Sequence, residues 1–201
     1  MESGGPGPDF RAHRSMYSVE EFINKKTIIV GEVKTGKTAH LEDLLHRLLG
    51  GGYTDITVID MAPALTRGIG GKMSLSKLKS IRYLTADIRA PRLEGGSADE
   101  VEALAKDNVR LIDHILLQYL ENPSKVLIIN DVSIYLQAGE LDKLLSLLNS
   151  TPTVIMNGYF GRSLGGGRLG ERERENMKAL QEKCDKVIFA SSLPKPAISP
   201  A

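Results

Sequence analysis

Two hydrophobic rhythms alternate along the chain. Short runs rich in Ile and Val, at residues 26–30, 56–60, 81–86, 125–131, 153–157 and 186–190, are continuous enough to read as buried strands. Between them, apolar residues recur at helical spacing. Leu41, Leu44, Leu45, Leu48 and Leu49 share one helical stripe, which Gly50, Gly51 and Gly52 bring to a stop. A capping box of Ser97 and Glu100 opens a longer stripe running from Val101 through Ala105, Ile112 and Leu116 to Leu120, and Pro123 closes it. Leu141, Leu144, Leu145 and Leu148 mark a third helix. Met177, Leu180 and Cys184 form the inner stripe of a charged helix over 171–184. Ser18 and Glu21, at capping-box spacing, predict a short helix over 18–24.

Strands alternating with helices imply an α/β fold, a three-layer α/β/α sandwich around a mainly parallel sheet of six strands. Right-handed crossovers would put the loops after the strands along one sheet edge, where ligands bind in open sheets of this kind. Residues 1–17 read as a flexible Gly/Pro-rich arm, 18–190 as the domain, and 191–201 as a proline-broken tail.

The first loop on that edge carries the main chemistry. Gly31, Glu32, Val33, Lys34, Thr35, Gly36, Lys37 and Thr38 fit the phosphate-binding pattern G-x-x-x-x-G-K-[ST] between a predicted strand and a predicted helix. Such a loop points successive N–H groups at an anion, and the helix N-terminus adds partial positive charge. On these residues the chain resembles the P-loop NTPases. The resemblance implies a nucleoside triphosphate, ATP or GTP, bound with Mg²⁺. Lys37 would reach the terminal phosphates, and Thr38 would offer its hydroxyl to the metal.

Asp131 ends the apolar run 126–129 and has the form of a Walker B acid that would hold Mg²⁺ with Thr38. Asp60, at the end of the second strand, competes for that role. Many hydrolytic members place Glu after the acid, whereas Val132 follows here, which argues against fast hydrolysis. Asp87, Arg89, Arg92 and Asn157 lie at or just beyond other strand ends and are candidates for substrate contacts. The glycine-rich stretch 158–170 carries Arg162 and Arg168. A closing loop there would bring Arg162 to developing negative charge as a catalytic residue. Residues 66–79, with Arg67, Lys72, Lys77 and Lys79, read either as a solvated surface loop or as a basic flap. His40, His46 and His114 lack partners at ligand spacing and read as structural.

The later part of the chain also resembles the cobalamin-biosynthesis P-loop proteins, adenosylcobinamide kinase and the P-loop cobalamin adenosyltransferase. The likeness lies in VLIIND, TVIMNGYFG, the Arg/Glu-rich helix and CDKVIF. The kinase's His- and Arg-rich segment between the second and third strands has no counterpart.

Composition narrows the partners. With 201 residues, 41% hydrophobic and 25% charged, the chain can bury a core without staples. A net charge of +1, no Trp and few aromatics argue against nucleic acid, and no apolar run is long enough to span a membrane. Cys184 is the only cysteine, which suits a reducing cytoplasm. A homo-oligomer is left open. Two function classes follow. One is phosphoryl or nucleotidyl transfer from Mg·NTP to a small anionic metabolite, or hydrolysis. The other is a slow, nucleotide-switched interaction protein.

Overall fold

The structure, a computed structural model, describes residues 17–75 and 81–194. The arm up to residue 16, Lys77 and Lys79 of the basic segment, and the tail from 195 lie outside the described residues. Six strands form one parallel sheet: β1 (Lys26–Gly31), β2 (Ile56–Asp60), β3 (Arg82–Thr85), β4 (Val126–Asn130), β5 (Thr153–Tyr159) and β6 (Lys186–Phe189). Their order is β3-β2-β4-β5-β1-β6, so β5 separates the P-loop strand β1 from β4.

Alternation along each strand divides the apolar residues between two cores. Ile29, Val58, Val126, Ile128 and Ile155 face α1 (Lys37–Gly50), which buries Leu41, Leu44, Leu45 and Leu48 against them. Each such leucine contributes about 1.5–3 kcal/mol of burial. Ile28, Val30, Ile59, Leu127, Ile129, Val154 and Met156 belong to the opposite core. They pack with α3 (Ala98–Leu120), α4 (Val132–Leu136), α5 (Leu141–Ser150) and α6 (Gly167–Glu182). A one-turn α2 (Pro91–Glu94) precedes α3, with proline in its first turn. The result is the three-layer α/β/α sandwich.

Several boundaries differ from the sequence expectation, each for a local reason. Residues 19–22 form a single 3-10 turn rather than a helix over 18–24. The Glu21 carboxylate accepts from the Ser18 N–H at 2.9 Å, and Ile23 returns to extended backbone. Helix α4 went unseen, because all of Val132–Leu136 is buried and so shows no amphipathic contrast. Strand β5 runs on to Tyr159, and α6 starts at Gly167 inside the glycine-rich stretch. Gly167 has a left-handed φ of 76° at the first position of that helix, and Met177 and Leu180 bury its inner face further along.

Candidate functional site

The P-loop joins β1 to α1 at the carboxyl edge of the sheet. Its tight turn needs left-handed backbone at Lys34 (φ 59°) and Gly36 (φ 81°), and the latter is the residue preceding α1. Thr35 Oγ1 donates to the Glu32 carbonyl at 2.8 Å and braces the loop. Lys37 Nζ donates to the carbonyls of Gly31, at 3.0 Å, and Glu32. Burial pulls the Lys37 pKa below the ordinary lysine value, while the charges of Asp131 and Glu32 oppose that pull. Residues 33–38 line a cavity of about 340 Å³ that also reaches Gly68–Gly71, Arg92, Asp131, Asn157, Tyr159 and Glu173.

The hydroxyl of Thr38 meets Asn130, the last residue of β4. Thr38 Oγ1 donates to Asn130 Oδ1 at 3.2 Å, and Asn157 Nδ2 donates to the same oxygen at 3.1 Å. The Asn130 amide in turn donates to Asp60 Oδ1 at 2.9 Å. Nothing in the sequence singles out Asn130, an uncharged residue before an acid. Asp131 therefore sits one place beyond the residue that faces Thr38.

Asp131 adopts the left-handed conformation, φ 59° and ψ 53°, which costs a non-glycine residue about 1–2 kcal/mol. Two bonds hold it there. Its N–H donates to Asn157 Oδ1 at 2.6 Å, and its carboxylate accepts from Ser133 Oγ at 2.7 Å. Burial raises its pKa above the usual carboxylate range, opposed by the Ser133 hydroxyl and the Lys37 charge.

Asp60, the competing acid, is fully buried and occupied by protein donors. Oδ1 accepts from the Ala62 N–H at 3.1 Å and from Asn130; Oδ2 accepts from the Met73 N–H at 2.7 Å and the Tyr83 hydroxyl at 2.9 Å. Its carboxylate organises the start of the 61–73 segment. In that segment Lys72 Nζ is tied to the Ala62 and Ala86 carbonyls, while Gly68–Gly71 line the cavity.

The remaining candidates separate. Asn157 and Arg92 reach the cavity. Asp87 and Arg89 do not: both are exposed, and Arg89 pairs with Glu94. Arg168 is exposed and pairs with Glu102. Arg162 is exposed and does not line the P-loop cavity. Its N–H donates to Glu32 Oε1 at 2.5 Å, so the expected catalytic arginine is turned to a neighbouring cavity. Glu32 also accepts from Ser163 Oγ, which ties the P-loop to the glycine-rich segment.

The arginine that does reach the site is Arg92. It is ion-paired with Glu173 and lies 5.7 Å from the Tyr159 ring centre. Glu173 is buried, accepts from Gln137 Nε2 at 3.2 Å, and has its pKa pushed up to about 7 by burial against the pull of Arg92. The Arg/Glu-rich text of α6 disguised Glu173 as a solvated residue. Its spacing could have exposed it, since 173, 177, 180 and 184 continue one helical stripe.

Mg²⁺ needs oxygen ligands and keeps several from water and phosphate. Thr38 and Asp131 are oxygen donors of that kind at the cavity, with Asp131 the charged one. Among the described residues, no three or more His, Cys, Asp or Glu side chains gather as a self-sufficient metal cage. The set fits a metal carried in with phosphates. Among the described residues, no helix is long and apolar enough to cross a membrane.

No family model and no curated protein sequence matches the chain. Solved structures do. The flagellar accessory protein FlaH from Methanocaldococcus jannaschii superposes with a TM-score of 0.50 at 12% identity, covering 83% of this chain and 71% of that one. Pif1 helicase from Candida albicans is a looser likeness, with a TM-score of 0.41 and 16% identity. It covers 86% of this chain and 36% of its own, and bears on neither fold nor activity. At such identities the FlaH likeness is one of architecture. With the glycine loop between β1 and α1 and the six-stranded parallel sheet, this chain has a P-loop NTPase-like fold.

Proposed function

We propose that the chain binds Mg²⁺ and a nucleoside triphosphate, ATP or GTP, at the P-loop, and that Asp131 acts as general base in displacing the terminal phosphoryl group. The observation that carries this reading is that Lys37 and Asp131 line one cavity together with the P-loop. Lys37 is the cation for the terminal phosphates. Asp131 would take the proton of a water or acceptor hydroxyl as its oxygen bonds to phosphorus and the bond to the diphosphate breaks. Mg²⁺, held by the Thr38 hydroxyl with Asn130 behind it, would offset charge on the phosphates.

This changes the role assigned to Asp131 from the sequence. One place beyond the Thr38 partner, it can serve the position where hydrolytic members carry Glu, so Val132 no longer argues against hydrolysis.

Calorimetry with ATP and GTP, with and without Mg²⁺, tests binding. Turnover with and without pooled metabolites, cobinamide among them, separates transfer from hydrolysis. A folded Lys37→Ala protein with unchanged affinity would overturn the reading. The switch reading has one observation in its favour. Glu32 joins the P-loop to residues 162–163, so phosphate binding could be transmitted to that segment.

A further inference from the structure

A second cavity, of about 470 Å³, lies beside the first and shares Arg92, Tyr159 and Glu173 with it as a common wall. Its other side is formed by Gly161, Arg162 and the start of α6. Three separate features there suit negative charge.

The first is the N-terminus of α6. Its leading N–H groups have no carbonyl one turn back, and the capping position is Gly166, which has no side chain to satisfy them. The second is Arg92, whose side chain is only 10% exposed. One arm pairs with Glu173, but Nε and Nη1 are buried without a hydrogen-bond partner. Unpaired buried donors of this kind are uncommon in folded proteins. The third is Arg162, which lines the cavity and makes no ion pair among the described residues.

We propose that this second cavity is an oxyanion site, formed by the α6 N-terminus with Arg92 and Arg162, that holds the phosphate or carboxylate group of a small acceptor. The shared wall would place that acceptor next to the terminal phosphate, so the assignment rests on the P-loop reading above. Glu173 keeps Nη2 of Arg92, since stranding a buried carboxylate would be costly, and the ligand's oxyanion takes the unpaired Nε and Nη1. The second cavity, where Arg162 lies with Arg92 beside Glu171 and Glu173, also gives Arg162 a role the first cavity did not: it binds the acceptor.

Inorganic phosphate is the probe, titrated calorimetrically into the full chain, Lys37→Ala and Arg162→Gln. Phosphate should still bind Lys37→Ala, and Arg162→Gln should weaken that binding about tenfold. Loss of all phosphate binding in Lys37→Ala, or an unchanged affinity in Arg162→Gln, overturns the second site while leaving the P-loop reading intact. If ATP fails to bind yet phosphate still senses Arg162, the P-loop reading falls and the oxyanion site stands. The oxyanion's source is read from turnover. Faster ATP loss with an added phosphomonoester or polycarboxylate supports an acceptor. Product inhibition by phosphate alone, with no acceleration by either class, overturns the acceptor and leaves a site for released phosphate.

Discussion

The amide of Asn130 donates to the Asp60 carboxylate at 2.9 Å, and this bond accounts for asparagine at the end of β4. An aspartate at 130 would face Thr38 as a charged metal ligand. It would also set two buried carboxylates side by side, since Asp60 and Asn130 are paired in register on β2 and β4. Like charges that close cannot both ionise without a large penalty.

Asn130→Asp should therefore destabilise the protein by roughly 2–4 kcal/mol at neutral pH, since a buried hydrogen bond becomes a like-charge contact. Adding Asp60→Asn exchanges donor and acceptor across that bond and should recover part of the loss. Urea denaturation of the two single variants and the double variant measures the coupling. Additive losses would show that the Asp60–Asn130 bond does not set the residue at 130.

Lys37→Ala should raise the dissociation constant for Mg·ATP or Mg·GTP at least tenfold, which is about 1.4 kcal/mol. The side chain bonds only to P-loop groups, so the far-ultraviolet circular dichroism should stay that of the parent. Calorimetry and dichroism on the same preparation check both parts.

Asp131→Asn and Asp60→Asn should fail differently. The first removes the base and should lower kcat by roughly 10²–10⁴, with a smaller change in nucleotide affinity. The second leaves buried donors of Met73, Tyr83, Ala62 and Asn130 imperfectly matched, and should lower stability by about 1–3 kcal/mol. Steady-state kinetics beside thermal melts distinguish them. A stable Asp60→Asn protein with the larger kinetic defect would assign the base to Asp60.

Glu173 makes stability depend on pH. Its pKa is raised from 4.5 to about 7 in the fold, so the native state binds the extra proton between those values. Stability is fully present below about 4.5 and is lost as pH rises through about 7, by on the order of 1–3 kcal/mol. The groups facing Glu173 are Arg92 from α2, Gln137 after α4, and the charge of Asp131. Melting temperatures from pH 5 to 8 should fall in the parent and run flatter in Glu173→Gln. Parallel curves would remove Glu173 as the cause.

Glu32→Ala should loosen residues 161–164. The Glu32 carboxylate takes bonds from the Arg162 N–H and the Ser163 hydroxyl, leaving the Leu164 N–H bond to the Tyr159 hydroxyl as a remaining tie. Hydrogen-exchange mass spectrometry should show faster exchange in that segment and little change in β5. Unaltered exchange would mean that the loop is held by its own backbone.

Local patterns in the sequence specify the architecture and the phosphate loop. Strand runs and helical stripes are local patterns that burial enforces, and the P-loop is eight consecutive residues whose chemistry survives any arrangement of the rest. The tertiary structure decided which distant groups meet. Nothing local distinguishes Asn130 from the end of an apolar strand, or Glu173 from the solvated glutamates around it. Asn130 meets Thr38 and Asp60 only because β4 lies beside β2 and one strand away from β1. Glu173 is buried only because α6 turns that stripe onto the sheet, against Arg92 from a different crossover. Arg162 and Arg92 illustrate the same physics from opposite sides. Both follow strand ends in the sequence, but Glu32 draws the Arg162 backbone toward the P-loop, while the Glu173 charge draws the Arg92 side chain inward. Charge pairing across the fold, which no spacing along the chain records, selected Arg92 as the arginine at the P-loop cavity.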